Sequence, residues 1–220
     1  MLHVLRVFTG AGDEHGNRLG VVLDGPSVPV ADRQGIATEL GYSETVFVDD
    51  ASSGELRIFT PAVELPFAGH PLVGTAWLLG EERSLPTVLR PPAGEVAVRR
   101  DGELVWIAGR AEWAPVAKQV EMESAAAVDE LDGSPVDGDS YCWAWISERD
   151  GLVRARGFFP EEGIVEDQAT GSAALALCVA LGRDIEVRQG QGSVIHAHHL
   201  GEGRAEVGGA VVLAEVRELP

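Results

Sequence analysis

Two predicted helices without a charged face constrain the fold more than any other feature of the chain. Pro71–Leu79 and Ser172–Leu181 contain no Asp, Glu, Lys or Arg. A helix that is apolar all round is normally buried on every side. Short strand-like runs bounded by Gly, Asp or Pro dominate the remaining sequence. The elements that surround these helices must therefore be β-sheets. The sequence therefore predicts sheets wrapped around two central helices.

The two halves of the chain resemble each other around these helices. The run from Arg57 to Pro61 (Arg-Ile-Phe-Thr-Pro) is echoed by the run from Arg156 to Pro160 (Arg-Gly-Phe-Phe-Pro). Each run is followed by a loop, a glycine and an apolar helix. Such an internal echo is typical of a repeated structural unit. We predict two pseudo-equivalent domains, residues 1–110 and 111–220, that pack closely because no low-complexity linker separates them.

Composition limits the chemistry. The 220 residues include 35 acidic and 17 basic side chains, and the net charge is −18. This charge argues against nucleic acid or an anionic membrane as a partner, because both would be repelled. The single lysine, Lys118, lies in no motif, which leaves almost no candidate for Schiff-base chemistry. Cys142 and Cys178 lie in apolar runs and are expected to be core residues.

Targeting and metal-binding signals are weak. The N-terminus becomes polar too soon for a signal peptide, and no apolar run is long enough to span a bilayer, so we expect a cytoplasmic protein. His196 and His198 would share one face of a strand, but no convincing carboxylate or thiol lies at ligand spacing. We therefore predict no metal site.

The starts of the two apolar helices carry a polar, glycine-containing pattern. The first is Phe67–Pro71 and the second is Asp167–Ser172. A helix start presents unpaired N–H groups and a positive dipole end, which suit a carboxylate. If the halves are related by pseudo-twofold symmetry, both starts could face one cleft that holds a small acid. The alternative is that Gly69 and Gly171 are only tight turns.

A second unusual feature is Glu44, which stands directly before the apolar strand Thr45–Val48. Its structural alternative is a capping or strand-edge glutamate.

Four segments resemble signature blocks of the PhzF-like, phenazine-biosynthesis family. The third and fourth blocks are together highly specific, and the match is nearly complete in the first half and patchy in the second. The segments are residues 7–9 with Gly16 and Asn17, Ser43–Val48, Arg57–Ala76 and Gly163–Ala174.

This resemblance implies the diaminopimelate-epimerase-like fold: α+β, with two pseudo-symmetric domains, each a mostly antiparallel sheet around a central apolar helix. It implies Glu44 as the catalytic acid/base, assisted by His70 and Asp167. It also implies that members are commonly homodimers and need no metal or organic cofactor. The substrate contacts that it implies are Asn17, Gly69, Gly171 and Ser172.

The chain departs from the family pattern in three places. Arg18 stands where the family usually has proline after Gly-Asn, and Gln168 replaces the proline of the Glu-Asp-Pro block. The stretch between Trp113 and Arg156 is shorter than in typical members. The first two changes are peripheral to the expected proton path, whereas the third affects the second domain, the dimer surface and the pocket.

The sequence leads to one main functional hypothesis and two alternatives. The main hypothesis is a cofactor-independent isomerase that moves a proton within a small unsaturated or cyclic carboxylic or amino acid, as in phenazine-type biosynthesis. Related racemases use one cysteine in each domain near these helix starts, and this chain has none there. The alternatives are a cysteine-independent epimerase and a catalytically idle protein that binds a small acid.

Overall fold

The computed structural model describes residues 1–220 and contains fifteen strands and four α-helices. The helices are α1 (Val30–Leu40), α2 (Gly69–Glu82), α3 (Ala125–Asp129) and α4 (Gly171–Leu181). The strands of the first half are β1 (Leu2–Thr9), β2 (Asn17–Val22), β3 (Glu44–Asp50), β4 (Glu55–Phe59), β5 (Glu64–Leu65), β6 (Val88–Leu89), β7 (Val96–Asp101) and β8 (Leu104–Arg110). Those of the second half are β9 (Lys118–Glu121), β10 (Ser140–Ser147), β11 (Leu152–Phe159), β12 (Ile164–Asp167), β13 (Ile185–Gln189), β14 (Ser193–Gly201) and β15 (Arg204–Arg217).

Eleven of the strands form one continuous hydrogen-bonded path in the order β5-β4-β3-β2-β1-β15-β14-β13-β11-β10-β9, and β6, β7, β8 and β12 lie off this path. Neighbours are mostly antiparallel, and only β2–β3, β11–β13 and β9–β10 are parallel. The last strand, β15, belongs to both halves: residues 210–217 pair with β1, and residues 204–209 pair with β8. The predicted domain boundary at residue 110 therefore stays a prediction. The C-terminal strand β15 lies after that boundary in sequence but pairs with strands of the first half.

The two halves repeat one arrangement around their central helices. In each half a short hairpin precedes the apolar helix, β4–β5 before α2 and β11–β12 before α4. A bidentate ion pair ties each hairpin together: Arg57 binds Glu64 with N···O distances of 2.7 and 2.9 Å, and Arg156 binds Glu166 with two of 2.7 Å. The predicted α+β fold with pseudo-symmetric halves is confirmed.

Both apolar helices lie inside the sheet, as their lack of a charged face predicts. The first eight residues of α2 and the first five of α4 are buried. One hydrophobic cluster of 40 buried residues includes Leu72 of α2 and Leu175 of α4, so the two halves share a single core. Each such leucine contributes about 1.5–3 kcal/mol through its removal from water.

One predicted helix is largely wrong. We expect a helix over Glu121–Glu130, but only Ala125–Asp129 is helical. Glu121 is the last residue of β9 and pairs with Trp143 of the parallel neighbour β10, and Ser124 caps the start of the helix by accepting from the amide of Ala127. Pairing with an existing strand satisfies the backbone there, and local helix propensity is too weak to compete with it. None of the four helices is long and apolar enough to cross a membrane.

The starts of α2 and α4 touch through their backbones. A Cβ atom added to Gly69 would lie 2.7 Å from the carbonyl carbon of Gly171, and one added to Gly171 would lie 3.0 Å from the amide nitrogen of His70. Real Cβ atoms do not approach a backbone this closely, so only glycine permits the contact at Gly69. The interpretation of the two glycines as unrelated tight turns is therefore wrong.

Gly69→Ala is expected to lower the free energy of unfolding by about 2–3 kcal/mol, because the methyl group overpacks a rigid backbone contact. Urea denaturation measures the change. The matched control is Gly35→Ala in α1, where an added Cβ meets nothing within 4 Å. Helix propensity should make that control more stable by about 1 kcal/mol. Equal effects in the two variants would contradict the steric account.

Candidate active site

The structure brings the predicted site residues into one buried cluster. Glu44 begins β3, His70 is the second residue of α2, and Asp167 ends β12. Asn17 begins β2, and Ser172 is the second residue of α4. Each of the five is no more than 6% exposed. The cluster lies where the two helix starts meet, so Gly69 and Gly171 belong to it as well.

Asn17 connects the two halves through its side-chain amide. Its Nδ2 group donates to Oδ1 of Asp167 at 2.5 Å and to the carbonyl of Ala169 at 3.0 Å, and it lies 3.4 Å from Nδ1 of His70. Ser43 donates its hydroxyl towards Oδ1 of Asn17 at 2.9 Å and of Asp167 at 3.1 Å. Asn17 and Ser43 thereby hold Asp167 against the first half. The sequence predicts no role for Ser43, although this residue begins the family-like segment Ser43–Val48.

Glu44 and His70 form a close pair with two unpartnered polar atoms. Oε2 of Glu44 lies 3.2 Å from Nδ1 of His70. The geometry is not that of a hydrogen bond, and Oε2 of Glu44 and Nε2 of His70 are both buried without a hydrogen-bond partner. Most buried polar groups in proteins are satisfied, and exceptions are often catalytic. The arrangement leaves both groups available for a reacting molecule.

Burial sets the protonation of this pair. It raises the pKa of Glu44 well above its usual value near 4.5, and the negative charges of Asp167 and Glu162 raise this pKa further. Burial lowers the pKa of His70 to about 3, against an opposing contribution from the backbone of Arg18. The imidazole is therefore neutral at physiological pH, and the carboxylate of Glu44 is a stronger base than an exposed glutamate.

Asp167 is held by hydrogen bonds from several directions. Burial raises its pKa to about 6, and hydrogen bonds from Thr170, Ser43, Asn17 and the backbone of Gln168 limit the rise. The Thr170 hydroxyl donates to Oδ2 of Asp167 at 2.6 Å.

Gln189 is the functional-site residue that sequence reasoning does not assign. It is fully buried, and its Nε2 group donates to the carbonyl of Asp167 at 2.9 Å and to the Thr170 hydroxyl at 2.8 Å. Its own Oε1 accepts from the hydroxyl of Tyr141 at 3.0 Å. The only sequence signal is a weak family resemblance at Gln189 and Gly190. Gln189 therefore keeps the loop before α4 in place.

The two helix starts form a positive region at the centre of the cluster. Ala68 and Thr170, the N-cap residues, provide no side-chain cap, and neither first turn contains an acidic residue. The first N–H groups of a helix have no intrahelical partner, and in these two helices no N-cap side chain accepts from them either. Two dipole ends that meet at Gly69 and Gly171 attract an anion such as a carboxylate.

A cavity of about 470 Å³ lies beside this cluster, between the two halves. Asn17 and Ser43 line it, and both also bind Asp167, so the cavity adjoins the site. Its full lining is His15, Gly16, Asn17, Arg18, Leu40, Gly41, Tyr42, Ser43, Gln168 and Gln191.

His196 and His198, which lie outside the site, pair with glutamates. Nδ1 of His198 lies 3.1 Å from Glu206, and Nδ1 of His196 lies 3.5 Å from Glu186. No group of three or more His, Cys, Asp and Glu side chains is arranged to hold a metal ion. Cys142 and Cys178 are free and buried in the core, as the sequence predicts.

Glu162→Gln should make stability less dependent on pH. Burial, with the charges of Asp139, Asp167 and Glu161, raises the pKa of Glu162 from 4.5 to about 7 in the folded protein. The folded protein holds this proton more tightly than the unfolded chain does. The protonated carboxyl therefore contributes to the free energy of unfolding below pH 4.5, and that contribution is lost as the pH rises through 7. The neutral variant should therefore exceed the wild type at pH 8 by about 3 kcal/mol and match it near pH 4. Urea denaturation at both pH values measures this, with exposed Glu39→Gln as the control; a pH-independent difference would contradict it.

Residues 5–135 match the family model of phenazine biosynthesis-like proteins, PhzC-PhzF. The chain is 33% identical over 219 residues to trans-2,3-dihydro-3-hydroxyanthranilate isomerase of Pseudomonas chlororaphis, with 80% of this chain and 78% of the relative covered.

Solved structures show the same fold. A phenazine biosynthesis PhzC/PhzF protein of Clostridium difficile superposes with a TM-score of 0.76 at 20% identity, covering 99% of both chains. A hydroxyproline epimerase of Agrobacterium vitis superposes with a TM-score of 0.64 at 12% identity, covering 97% of this chain and 90% of the other. The match to the family model and the identity to the Pseudomonas chlororaphis enzyme show that the chain belongs to the phenazine biosynthesis-like PhzC/PhzF family of isomerases.

Proposed function

We propose that the chain is a cofactor-independent isomerase that moves a proton within a small unsaturated or cyclic carboxylic or amino acid, with Glu44 as the acid/base. The observation that carries the proposal is the position of Glu44. Its buried carboxyl, with a raised pKa, lies 3.2 Å from a neutral imidazole and beside two convergent helix starts. A base and an anion site in one buried place are the parts that proton abstraction next to a carboxylate requires.

The substrate carboxylate binds at the helix starts. The free N–H groups of the first turns, together with the Ser172 hydroxyl, supply donors that are fixed before the substrate arrives. Gly69 and Gly171 have no side chains, so the two helix starts meet and bring both sets of donors to one place. Anchoring the carboxylate there places the adjacent carbons near Glu44.

Glu44 then transfers the proton in two steps. Its carboxylate removes a proton from an activated C–H bond, and the electron pair left behind spreads over the conjugated system. The Glu44 carboxylic acid returns the proton to another carbon, which forms a new C–H bond and moves the double bond. The net change is an isomerisation without oxidation or reduction, so the carboxyl needs no redox partner.

His70 and Asp167 orient the reactants. We assign the proton of the neutral His70 imidazole to Nε2, which leaves Nδ1 as an acceptor 3.4 Å from the Asn17 amide nitrogen. Nε2 is buried without a partner and can donate to the substrate. Asp167 fixes Asn17 and Ser43, and its negative charge keeps the pKa of Glu44 raised.

The names of relatives suggest a substrate. Trans-2,3-dihydro-3-hydroxyanthranilate, on which the Pseudomonas chlororaphis relative acts by its name, carries a carboxylate on a partly unsaturated ring. Such a ring supplies both the activated C–H bond and the conjugated acceptor carbon. We therefore propose this compound, or a close analogue of a phenazine-type pathway, as the first candidate.

Glu44→Gln should lower deuterium incorporation into the substrate by at least about a thousandfold, because an amide cannot carry the proton. The protein is incubated in heavy water with dihydro-hydroxyanthranilate and related unsaturated acids, and mass spectrometry follows the label. The control is Glu39→Gln on the exposed face of α1, which should keep full activity.

The labelled carbon distinguishes the alternatives. Label at a new position with double-bond movement supports the isomerase, and label at an inverted stereocentre without such movement identifies an epimerase. Full exchange in Glu44→Gln would refute the role of Glu44, and binding without any exchange would identify an idle small-acid binder.

The homodimer and the cytoplasmic location implied by the sequence stay predictions. Sedimentation equilibrium of the purified protein should give a mass near twice 23.3 kDa. A monomer at all concentrations would contradict the expected dimer.

A further inference from the structure

The cavity beside the active site has an unusual charge for this protein. The chain contains 35 acidic and 17 basic residues, yet no Asp or Glu lines the cavity of about 470 Å³. Its polar lining instead includes Arg18, His15, Gln168 and Gln191. Despite the acid excess of the chain, the wall of the cavity beside the proposed substrate site carries no negatively charged side chain.

Arg18 has no carboxylate partner. Ten of the sixteen arginines form an ion pair with a carboxylate, as Arg57 does with Glu64 and Arg156 does with Glu166, and Arg18 is one of the six that do not. Arg18 is exposed and forms neither an ion pair nor a side-chain hydrogen bond. A guanidinium is planar and carries five donors that match a carboxylate, so a free one in a cavity is suited to a carboxylate ligand.

The neighbouring side chains are held in place across the interface of the two halves. Oε1 of Gln168 packs on Gly190, and the His15 ring packs on Gly192. His15 has a φ of 60°, an unfavourable conformation for a residue with a side chain, which persists where the surrounding structure holds it. One acidic residue lies near this rim: Glu14, whose carboxylate is 3.9 Å from Nε2 of His15.

The cavity also adjoins the reacting groups. Asn17 and Ser43 form the wall between it and Asp167, and Ser43 directly precedes Glu44. Arg18 and Gln168, which replace two prolines of the family pattern, both line this cavity. The two departures, 150 positions apart in sequence, therefore change one place in the structure.

We propose that this cavity is a second anion subsite, in which Arg18 binds a carboxylate at the end of the substrate away from the helix starts. The subsite then favours a dicarboxylic analogue over trans-2,3-dihydro-3-hydroxyanthranilate itself, which has a single carboxylate. This proposal rests on the proposed function, because it assigns the far end of the same ligand. Gln168 and Gln191 supply additional neutral donors to the same group.

The test compares ligands that differ by one carboxylate. Titration calorimetry measures binding of 2-aminobenzoate, 2-aminobenzene-1,4-dicarboxylate and 4-aminobenzene-1,3-dicarboxylate to the wild type and to Arg18→Ala. At least one dicarboxylate should bind the wild type about tenfold more tightly than 2-aminobenzoate, and Arg18→Ala should abolish that preference while leaving 2-aminobenzoate binding within twofold. Arg83→Ala, an exposed arginine outside the cavity, is the control and should keep the preference.

Two outcomes would overturn the subsite. One is a wild type that binds no dicarboxylate more tightly than 2-aminobenzoate, and the other is a preference that survives in Arg18→Ala. Thermal unfolding checks that Arg18→Ala is folded, and Arg18→Lys should restore part of the preference.

Binding needs no turnover, so the result is separable from the proposed reaction. Deuterium exchange that depends on Glu44, with no dicarboxylate preference, would refute the subsite alone. A preference that depends on Arg18, with exchange that survives in Glu44→Gln, would refute the proposed role of Glu44 and keep the subsite.

Discussion

The backbone contact between Gly69 and Gly171 is the constraint on which the rest of the structure depends. It brings the N-termini of two buried helices together. A Cβ at Gly69 would lie only 2.7 Å from the carbonyl carbon of Gly171 at the start of the other helix. Since the helices form the centre of the shared core, their positions determine where the surrounding strands lie. The same contact joins two positive helix ends, so one steric condition accounts for both the interface between the halves and the proposed anion site.

The electrostatics of the site follow from its burial. Burial raises the pKa values of Glu44, Glu162 and Asp167, the charges of Asp167 and Glu162 raise that of Glu44 further, and the one imidazole among them is neutral. Burial favours uncharged forms, while the hydrogen bonds to Asp167 favour its ionised form. Glu44, whose Oε2 atom lacks such bonds, becomes the strong base of the group. The chemical asymmetry between two buried carboxyls thus comes from the hydrogen-bond donors around each.

Several features were predictable because they depend on local chemistry or on a repeated pattern. The two apolar helices and the strand that follows Glu44 agree with the sequence predictions. The prediction of a helix over Glu121–Glu130 was wrong at its start, because Glu121 pairs with Trp143 of the neighbouring strand β10. Short strands such as Glu64–Leu65 carry too few residues for a pattern, and only their partner strand defines them.

The sequence by itself determined which features are candidates for chemistry: a glutamate before an apolar strand, polar glycine-containing helix starts, and the absence of cysteine beside them. These are statements about residue types and their neighbours in the chain. Only the tertiary structure decided that Asn17 bonds Asp167, that Gln189 supports the loop before α4, and that Arg18 and Gln168 share one cavity. The physical reason is distance along the chain: contacts between residues 150 positions apart arise from the packing of two helices, which no local pattern encodes.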